Sequence, residues 1–208
     1  MVKKIAIVDY GLGNLRSAYN AFRCFEVDLT VAENGAELAD ASGIVVPGVG
    51  SFDAGIQGLQ SRGHVEALNR RVAEAGAAYL GICLGMQFLF EGSDEGNEHG
   101  FGWMHGRVRR FPEGTGHPKI PHIGWTEVAM PRPTQLFRDI AAPADFYFVH
   151  SYYAPLAGEA ERDVAAVAEY GFCYAAGVER DNIHAVQFHP EKSQLAGMKL
   201  IENFIAAV

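Results

Sequence analysis

Tyr79-Leu80-Gly81-Ile82-Cys83-Leu84-Gly85-Met86-Gln87 decides the fold. Residues 79–82 read as a buried strand, and 84–90 as a helix. Between them stands Gly-x-Cys-x-Gly, the form of a nucleophile elbow with cysteine in place of serine. A turn this sharp brings backbone too close for a Cβ at the two glycines. It also holds the nucleophile in a strained conformation, with its sulfur projecting outward. A helix that follows directly on a buried strand belongs to a sheet covered by helices.

The pattern repeats toward the N-terminus. Ile5-Ala6-Ile7-Val8 is a continuous apolar run that enters a turn at Gly11 and Gly13. Residues 14–25 follow with Leu15, Ala18, Tyr19, Phe22 and Phe25 on one helical face. Residues 29–31 and 43–46 are further strands, the latter closed by Pro47-Gly48-Val49-Gly50. The spacing of Val65, Leu68 and Val72 predicts a helix over about 61–75. Alternating strand and helix is the mark of a parallel sheet.

Past residue 91 the character changes. The polar, Gly-rich stretch 92–102 predicts a surface loop. Strand candidates at 106–111, 124–129, 146–149, 164–169, 173–178 and 184–188 follow with little helix between, so antiparallel strands are expected to extend the sheet. Residues 194–206 close the chain as an amphipathic helix with Leu195, Met198, Leu200, Ile201, Phe204 and Ile205 mostly inward. The expectation is one α/β domain over 1–208. Its open mixed sheet is parallel in the first half with an antiparallel extension, and helices lie on both faces.

Composition narrows the function. With 49% hydrophobic and 20% charged residues in 208, the chain is neither disordered nor membrane-spanning. No apolar run reaches the ~18 residues of a spanning helix, and the N-terminal run, ended by Asp9, is too short for a signal peptide. A net charge of -8 argues against nucleic acid as a partner, with Arg107, Arg109 and Arg110 as a local exception. Cys24, Cys83 and Cys173 are odd in number and widely spaced, so neither a disulfide framework nor a zinc ribbon is indicated. A soluble cytoplasmic protein without membrane partners is expected.

Cys83 would stand at a helix N-terminus, where the dipole favours the thiolate. Gln87, one turn further on, would bring its amide beside the sulfur. A lone buried cysteine is more often structural; the flanking glycines reverse that judgement here. Cys24 and Cys173 lack such flanks and are expected in the core. A thiolate nucleophile needs a base, and the base an orienter. His189 in Gln187-Phe188-His189-Pro190-Glu191 follows a strand and emerges at its C-terminal end, where sites lie in open α/β sheets. In extended backbone residues 189 and 191 face one side, and Pro190 keeps His189 extended. Alone, His-Pro-Glu reads equally as an ordinary strand end.

Acyl transfer also needs donors for an oxyanion, and the glycines of 47–50 allow a backbone N–H to enter the cleft. The same four residues read equally well as a simple strand-to-loop turn. Gly11-Leu12-Gly13-Asn14 lacks the third glycine of a dinucleotide loop, because position 16 is Arg16. His99, His105, His117 and His122 have no spacing that shares a metal, and His150 and His184 read as hydrogen-bonded structural residues. No metal or cofactor is expected.

The elbow at 81–87, the segment 47–50 and His189-Pro190-Glu191 occur in the order of the class I (triad) glutamine amidotransferases, and the chain resembles that family. Asp9-Tyr10-Gly11-Leu12-Gly13-Asn14, Pro121-His122-Ile123-Gly124-Trp125 and Tyr147-Phe148-Val149-His150-Ser151-Tyr152 narrow the resemblance to glutaminase subunits that serve a separate cyclase. The resemblance implies a flavodoxin-like sheet and glutamine hydrolysis through a thioester on Cys83. His189 would protonate the leaving ammonia and Glu191 would orient it. Backbone at Val49, Gly50 and Leu84 would hold the oxyanion, and Gln87 with backbone of Ser151 and Tyr152 the substrate. The implied partner is a (β/α)8-barrel cyclase subunit in a heterodimer that receives the ammonia. Asn14, Trp125, Tyr147 and Lys192 match positions near the subunit interface, though Trp125 and Tyr147 read equally as core packing and Lys192 as a solvated charge. The generic triad also fits a glutaminase subunit of another amidotransferase, or a binding protein that has kept the scaffold. Intact Cys83, His189 and Glu191 argue against the last.

Overall fold

The computed structural model describes residues 2–115, 118–156 and 158–208. Its frame is a nine-stranded sheet. The parallel half is β1 (Lys3–Val8), β2 (Val27–Ala32), β3 (Gly43–Gly48) and β4 (Ala78–Cys83). The helices between are α1 (Leu15–Phe22), α2 (Phe52–Ser61) and α3 (His64–Leu68); the four-residue α4 (Leu84–Gln87) leaves β4 directly. Two short strands, β5 (Gly92–Ser93) and β6 (Arg107–Arg110), join β9 (Tyr152–Tyr153) in a small second sheet. The large sheet continues with β7 (His122–Ala129), β8 (Ala144–His150), β10 (Val164–Glu169), β11 (Cys173–Arg180) and β12 (Ile183–Val186), and α5 (Gln194–Ala207) ends the chain. Strand order is β2-β1-β3-β4-β12-β11-β10-β7-β8.

Continuous apolar strands are needed because both faces are covered. On β1, Ala6 and Val8 pack with Phe52, Ile56 and Leu59 of α2 and with Leu68 of α3. Ile5 and Ile7 pack on the opposite face with Ala18 and Phe22 of α1 and Leu200, Ile201 and Phe204 of α5. The period-2 alternation of the strand thus feeds two cores.

Several expectations change. Residues 52–61 form a helix that the sequence hid behind two glycines. Both are demanded by packing: a Cβ on Gly55 would stand 2.4 Å from the Phe88 ring, and one on Gly58 2.3 Å from the Tyr10 carbonyl oxygen. The single helix expected over 61–75 is broken at Gly63, whose φ of 69° is left-handed. It runs as α3 and then as a wider π-helical stretch, Asn69–Glu74. The strand expected at 184–188 is β12, and it pairs parallel with β4, in register Ala185 to Gly81, and antiparallel with β11. The sheet therefore turns antiparallel one strand later than the order of elements implied.

The stretch 92–102 is no free loop. The Asp53 carboxylate accepts from the backbone N–H of Asn97 and Glu98, and the Glu95 carboxylate accepts from that of Phe52, which ties the segment to the start of α2. Leu195 points outward and is 87% exposed, because i+4 and i+7 spacing places it on the helix face of Lys199 and Glu202, away from buried Gly197, Leu200, Ile201 and Phe204. Cys24 and Cys173 are exposed rather than core: Cys24 stands where α1 has ended, and Cys173 opens β11. The basic cluster is paired with carboxylates, Arg107 and Arg109 with a shared Asp94 and Arg110 with Glu113. No helix among the described residues is long and apolar enough to cross a membrane.

Candidate active site

The elbow forms at the C-terminal edge of the sheet, between β4 and α4. Cys83 adopts φ 55° and ψ -104°, a conformation that costs an ordinary residue of the order of 1–3 kcal/mol. Close approach on either side enforces it. A Cβ on Gly85 would lie 2.0 Å from the Val46 carbonyl oxygen, and one on Gly81 2.5 Å from the Gly85 carbonyl oxygen. The Tyr79 hydroxyl donates to that same Gly85 oxygen at 2.7 Å, which pins the turn from beneath.

His189 reaches the site from the next strand. Its backbone is extended, at φ -103° and ψ 95°. Its N–H donates to the Tyr147 carbonyl at 2.9 Å, and the Ser193 hydroxyl donates to its carbonyl at 2.6 Å. Its Nδ1 lies 2.8 Å from Glu191 Oε1, and both side chains are almost fully buried. β12 ends at Val186, however, so the carboxylate arrives from a 3-10 turn, Pro190–Lys192, rather than from a continuing strand. Asn14, expected at an interface, donates to the same Glu191 oxygen at 3.4 Å. Burial opposes protonation of His189. The charge of the Cys83 sulfur and then Glu191 outweigh it and push the imidazole up to about 10. The charges of Cys83 and Glu191 thus favour the imidazolium over the neutral ring.

A cleft of ≈ 290 Å³ opens above Cys83. All six positions expected to hold oxyanion or substrate line it: Val49, Gly50, Leu84, Gln87, Ser151 and Tyr152. Gly50 has φ 108°, open to glycine and strained for other residues. Gln87 does not turn its amide to the sulfur. Its Nε2 donates to the Tyr152 carbonyl at 3.2 Å and to Gln187 Oε1 at 3.1 Å. The amide at the sulfur belongs to Gln187, whose Nε2 lies 3.5 Å from Cys83 Sγ.

Sequence reasoning missed two residues here. Gln187 carries the signal that picked out Glu191, since 187, 189 and 191 are spaced by two. Glu95 lies in the stretch read as a loop, yet it is the one carboxylate among the described residues lining the cleft. Burial raises its pKa, the Phe52 N–H lowers it and nearby Asp53 raises it, with a net rise.

The other histidines separate cleanly. His122 is buried, stacked between Tyr170 and Phe148 with ring centroids 3.9 and 5.0 Å away. It shares the Tyr174 hydroxyl with His150. His184 meets Glu179 at 3.2 Å. His64, which the sequence did not single out, is buried against the Asp9 carbonyl at 3.0 Å. His117 lies outside the described residues. Among the described residues no three His, Cys, Asp or Glu side chains converge as a metal would need.

Trp125, Tyr147 and Lys192 form one surface cluster. The two rings meet edge-on at 6.0 Å, and Lys192 Nζ sits 5.6 Å from the Tyr147 centroid. Trp125 is 48% exposed, so the core-packing alternative fails for it.

The glutamine amidotransferase class-I family model matches residues 6–208. The chain is 44% identical over 204 residues to the imidazole glycerol phosphate synthase subunit HisH of Moorella thermoacetica, covering 98% of this chain and 94% of that one. It is 46% identical over 201 residues to the protein of the same name from Desulfitobacterium hafniense, covering 96% and 92%. In fold it is similar to the structure of PurLQS from Thermotoga maritima, with TM-score 0.75 at 19% identity over 99% of this chain and 99% of that one.

Proposed function

The chain belongs to the glutamine amidotransferase class-I family, and from that premise we propose that it is the glutaminase subunit of an imidazole glycerol phosphate synthase, its single catalytic unit spanning 1–208. Identity of 44–46% over nearly the full length of relatives so named supports that reading. The observation that carries the chemistry is the strained Cys83 at the head of the cleft, with the buried His189–Glu191 pair beside it.

In this reading the Cys83 thiolate attacks the side-chain amide carbon of glutamine. The carbonyl electrons move onto oxygen, held by backbone N–H groups of Val49 or Gly50 and of Leu84. The intermediate collapses, the C–N bond breaks, and the His189 imidazolium gives its proton to the leaving ammonia. Glu191 keeps Nδ1 protonated and the ring aimed. Water, deprotonated by the now neutral His189, attacks the thioester and releases glutamate and the thiolate. Gln87 has both amide hydrogens committed, so it meets substrate with its oxygen. Glu95 is the group suited to the substrate's α-ammonium.

Ammonia set free in water becomes ammonium, a poor nucleophile, so a channel to an acceptor is needed. The partner is a (β/α)8-barrel cyclase subunit in a heterodimer, which uses the ammonia to make imidazole glycerol phosphate and an aminoimidazole carboxamide ribonucleotide. Exposed Ile123 and Trp125 on one face of β7, with Leu195 lining the same depression as Trp125, support a docking face there. Tyr147 and Lys192 adjoin it through Trp125. Basal activity is expected to be weak and to rise when the cyclase binds its nucleotide, with the 47–50 backbone as the switch. A diazoketone analogue of glutamine tests the site: it should add to Cys83 alone among the three cysteines, and glutamine should protect. Labelling of Cys24 or Cys173 instead would refute the assignment.

A further inference from the structure

The polar groups behind the cleft have only one consistent direction of donation. The Tyr152 carbonyl can only accept, so His150, 2.7 Å away, must carry its proton on Nδ1. Burial, over an opposing bond to that carbonyl, drives His150 down to about 3, so Nε2 is an acceptor, and it takes the Tyr174 hydroxyl proton at 3.2 Å. The Tyr174 oxygen then accepts from His122 Nδ1 at 3.2 Å, and His122 Nε2 accepts from Thr126 at 2.8 Å. Three elements, β7, β8 and β11, thereby hold one carbonyl in place.

That carbonyl fixes the other branch. Gln87 must present its NH2 to it, and the second N–H meets Gln187 Oε1. The opposite orientation of Gln187 would set two donors face to face. Its NH2 is therefore the end that faces Cys83 Sγ, in a position with no solvent access. A buried donor aimed at sulfur favours the anion over the thiol, because only the anion accepts strongly.

We propose that Gln187 is a further catalytic residue, donating its amide N–H to the Cys83 thiolate, with Gln87 as the positioning residue that sets its orientation. The inference rests on the glutaminase reading for its purpose, though not for its test. Alkylation by iodoacetamide reads the sulfur without glutamine. A Cys24→Ser, Cys173→Ser background removes the two exposed thiols. Gln187→Glu keeps an oxygen for Gln87 and replaces the donor by an acceptor. Gln187→Met keeps the volume and removes both.

In both variants the midpoint of the pH–rate profile should lie about one unit higher, so that alkylation at pH values below the parent's midpoint is about tenfold slower, and Gln187→Glu should be the worse. A purely structural role predicts the reverse order, with Gln187→Glu close to the parent. That order, or parental profiles in both variants, would overturn the proposal and leave the glutaminase reading standing. A parent that alkylates as expected yet releases no glutamate even with the cyclase and its nucleotide would overturn that reading instead. Should either Gln187 variant fail to fold, Gln87→Met is expected to shift the profile in the same direction, and an unshifted profile there counts against the proposal.

Discussion

His189 Nδ1 and Glu191 Oε1 lie 2.8 Å apart, with each side chain no more than 2% exposed. An ion pair so enclosed is held for orientation more than for stability, since desolvation offsets much of its attraction. Glu191→Gln should therefore leave the fold in place and remove the group that keeps Nδ1 protonated. The expected fall in kcat for glutamate release is about 10³-fold or more, with KM little changed. A parental kcat would show that His189 needs no orienter.

Glu95 lines the cleft, and in the proposed reading it meets substrate rather than the reacting atoms. Glu95→Gln should raise KM for glutamine by roughly tenfold or more and change kcat far less. Steady-state glutamate release separates the two. An unchanged KM would remove Glu95 from the binding site.

The elbow leaves no room at Gly85. Gly85→Ala places a methyl group 2.0 Å from the Val46 carbonyl oxygen, against backbone that cannot give way cheaply. A loss of about 2 kcal/mol or more is expected in urea unfolding, together with loss of activity. Parental stability would mean that the turn tolerates a different path.

Acid should destabilise the protein through its buried histidines. Burial holds His122 down at about 4 and His150 down at about 3, against 6.5 in the unfolded chain. Below pH 6.5 the unfolded chain binds more protons, so their contribution to stability is lost as pH falls from 6.5 toward 3. Each adds a slope of up to ~1.4 kcal/mol per pH unit. His122→Phe keeps the stacking on Tyr170 and Phe148 and should flatten the curve between pH 6.5 and 4 by one proton's worth. An identical pH profile in the variant would contradict the burial argument.

The parallel half of the sheet, the Cys83 elbow and the His189–Glu191 pair were legible in the sequence because much of what fixes them is local. A Cβ on Gly81 would meet the Gly85 carbonyl four residues on, and His189 and Glu191 sit within one short segment. What stayed hidden depends on distant contacts. Gly55 and Gly58 disguise α2 until Phe88 and Tyr10 are seen against them. Glu95 enters the cleft only because its own carboxylate and that of Asp53 bind the 92–102 segment to the head of α2. Gln187 shared the spacing of His189 and Glu191, but its direction follows from the Tyr152 carbonyl, 35 residues earlier in the chain and close only in the fold. Leu195 was assigned inward with the apolar residues of α5, yet i+4 and i+7 spacing sets it on the exposed face with Lys199 and Glu202.

The docking face is open to direct measurement. Leu195→Asp, at an exposed position, should leave the melting temperature unchanged and weaken binding of the cyclase by about tenfold in calorimetry. Unaltered affinity would move the interface elsewhere.

The most direct test of the whole account is glutamate release from glutamine by the purified chain, alone and with the cyclase plus its nucleotide ligand, with Cys83→Ala in parallel. The account predicts slow release alone, a large rise in the full mixture, and none from Cys83→Ala. Release that persists in Cys83→Ala, or a parent as fast alone as with the cyclase, would contradict it.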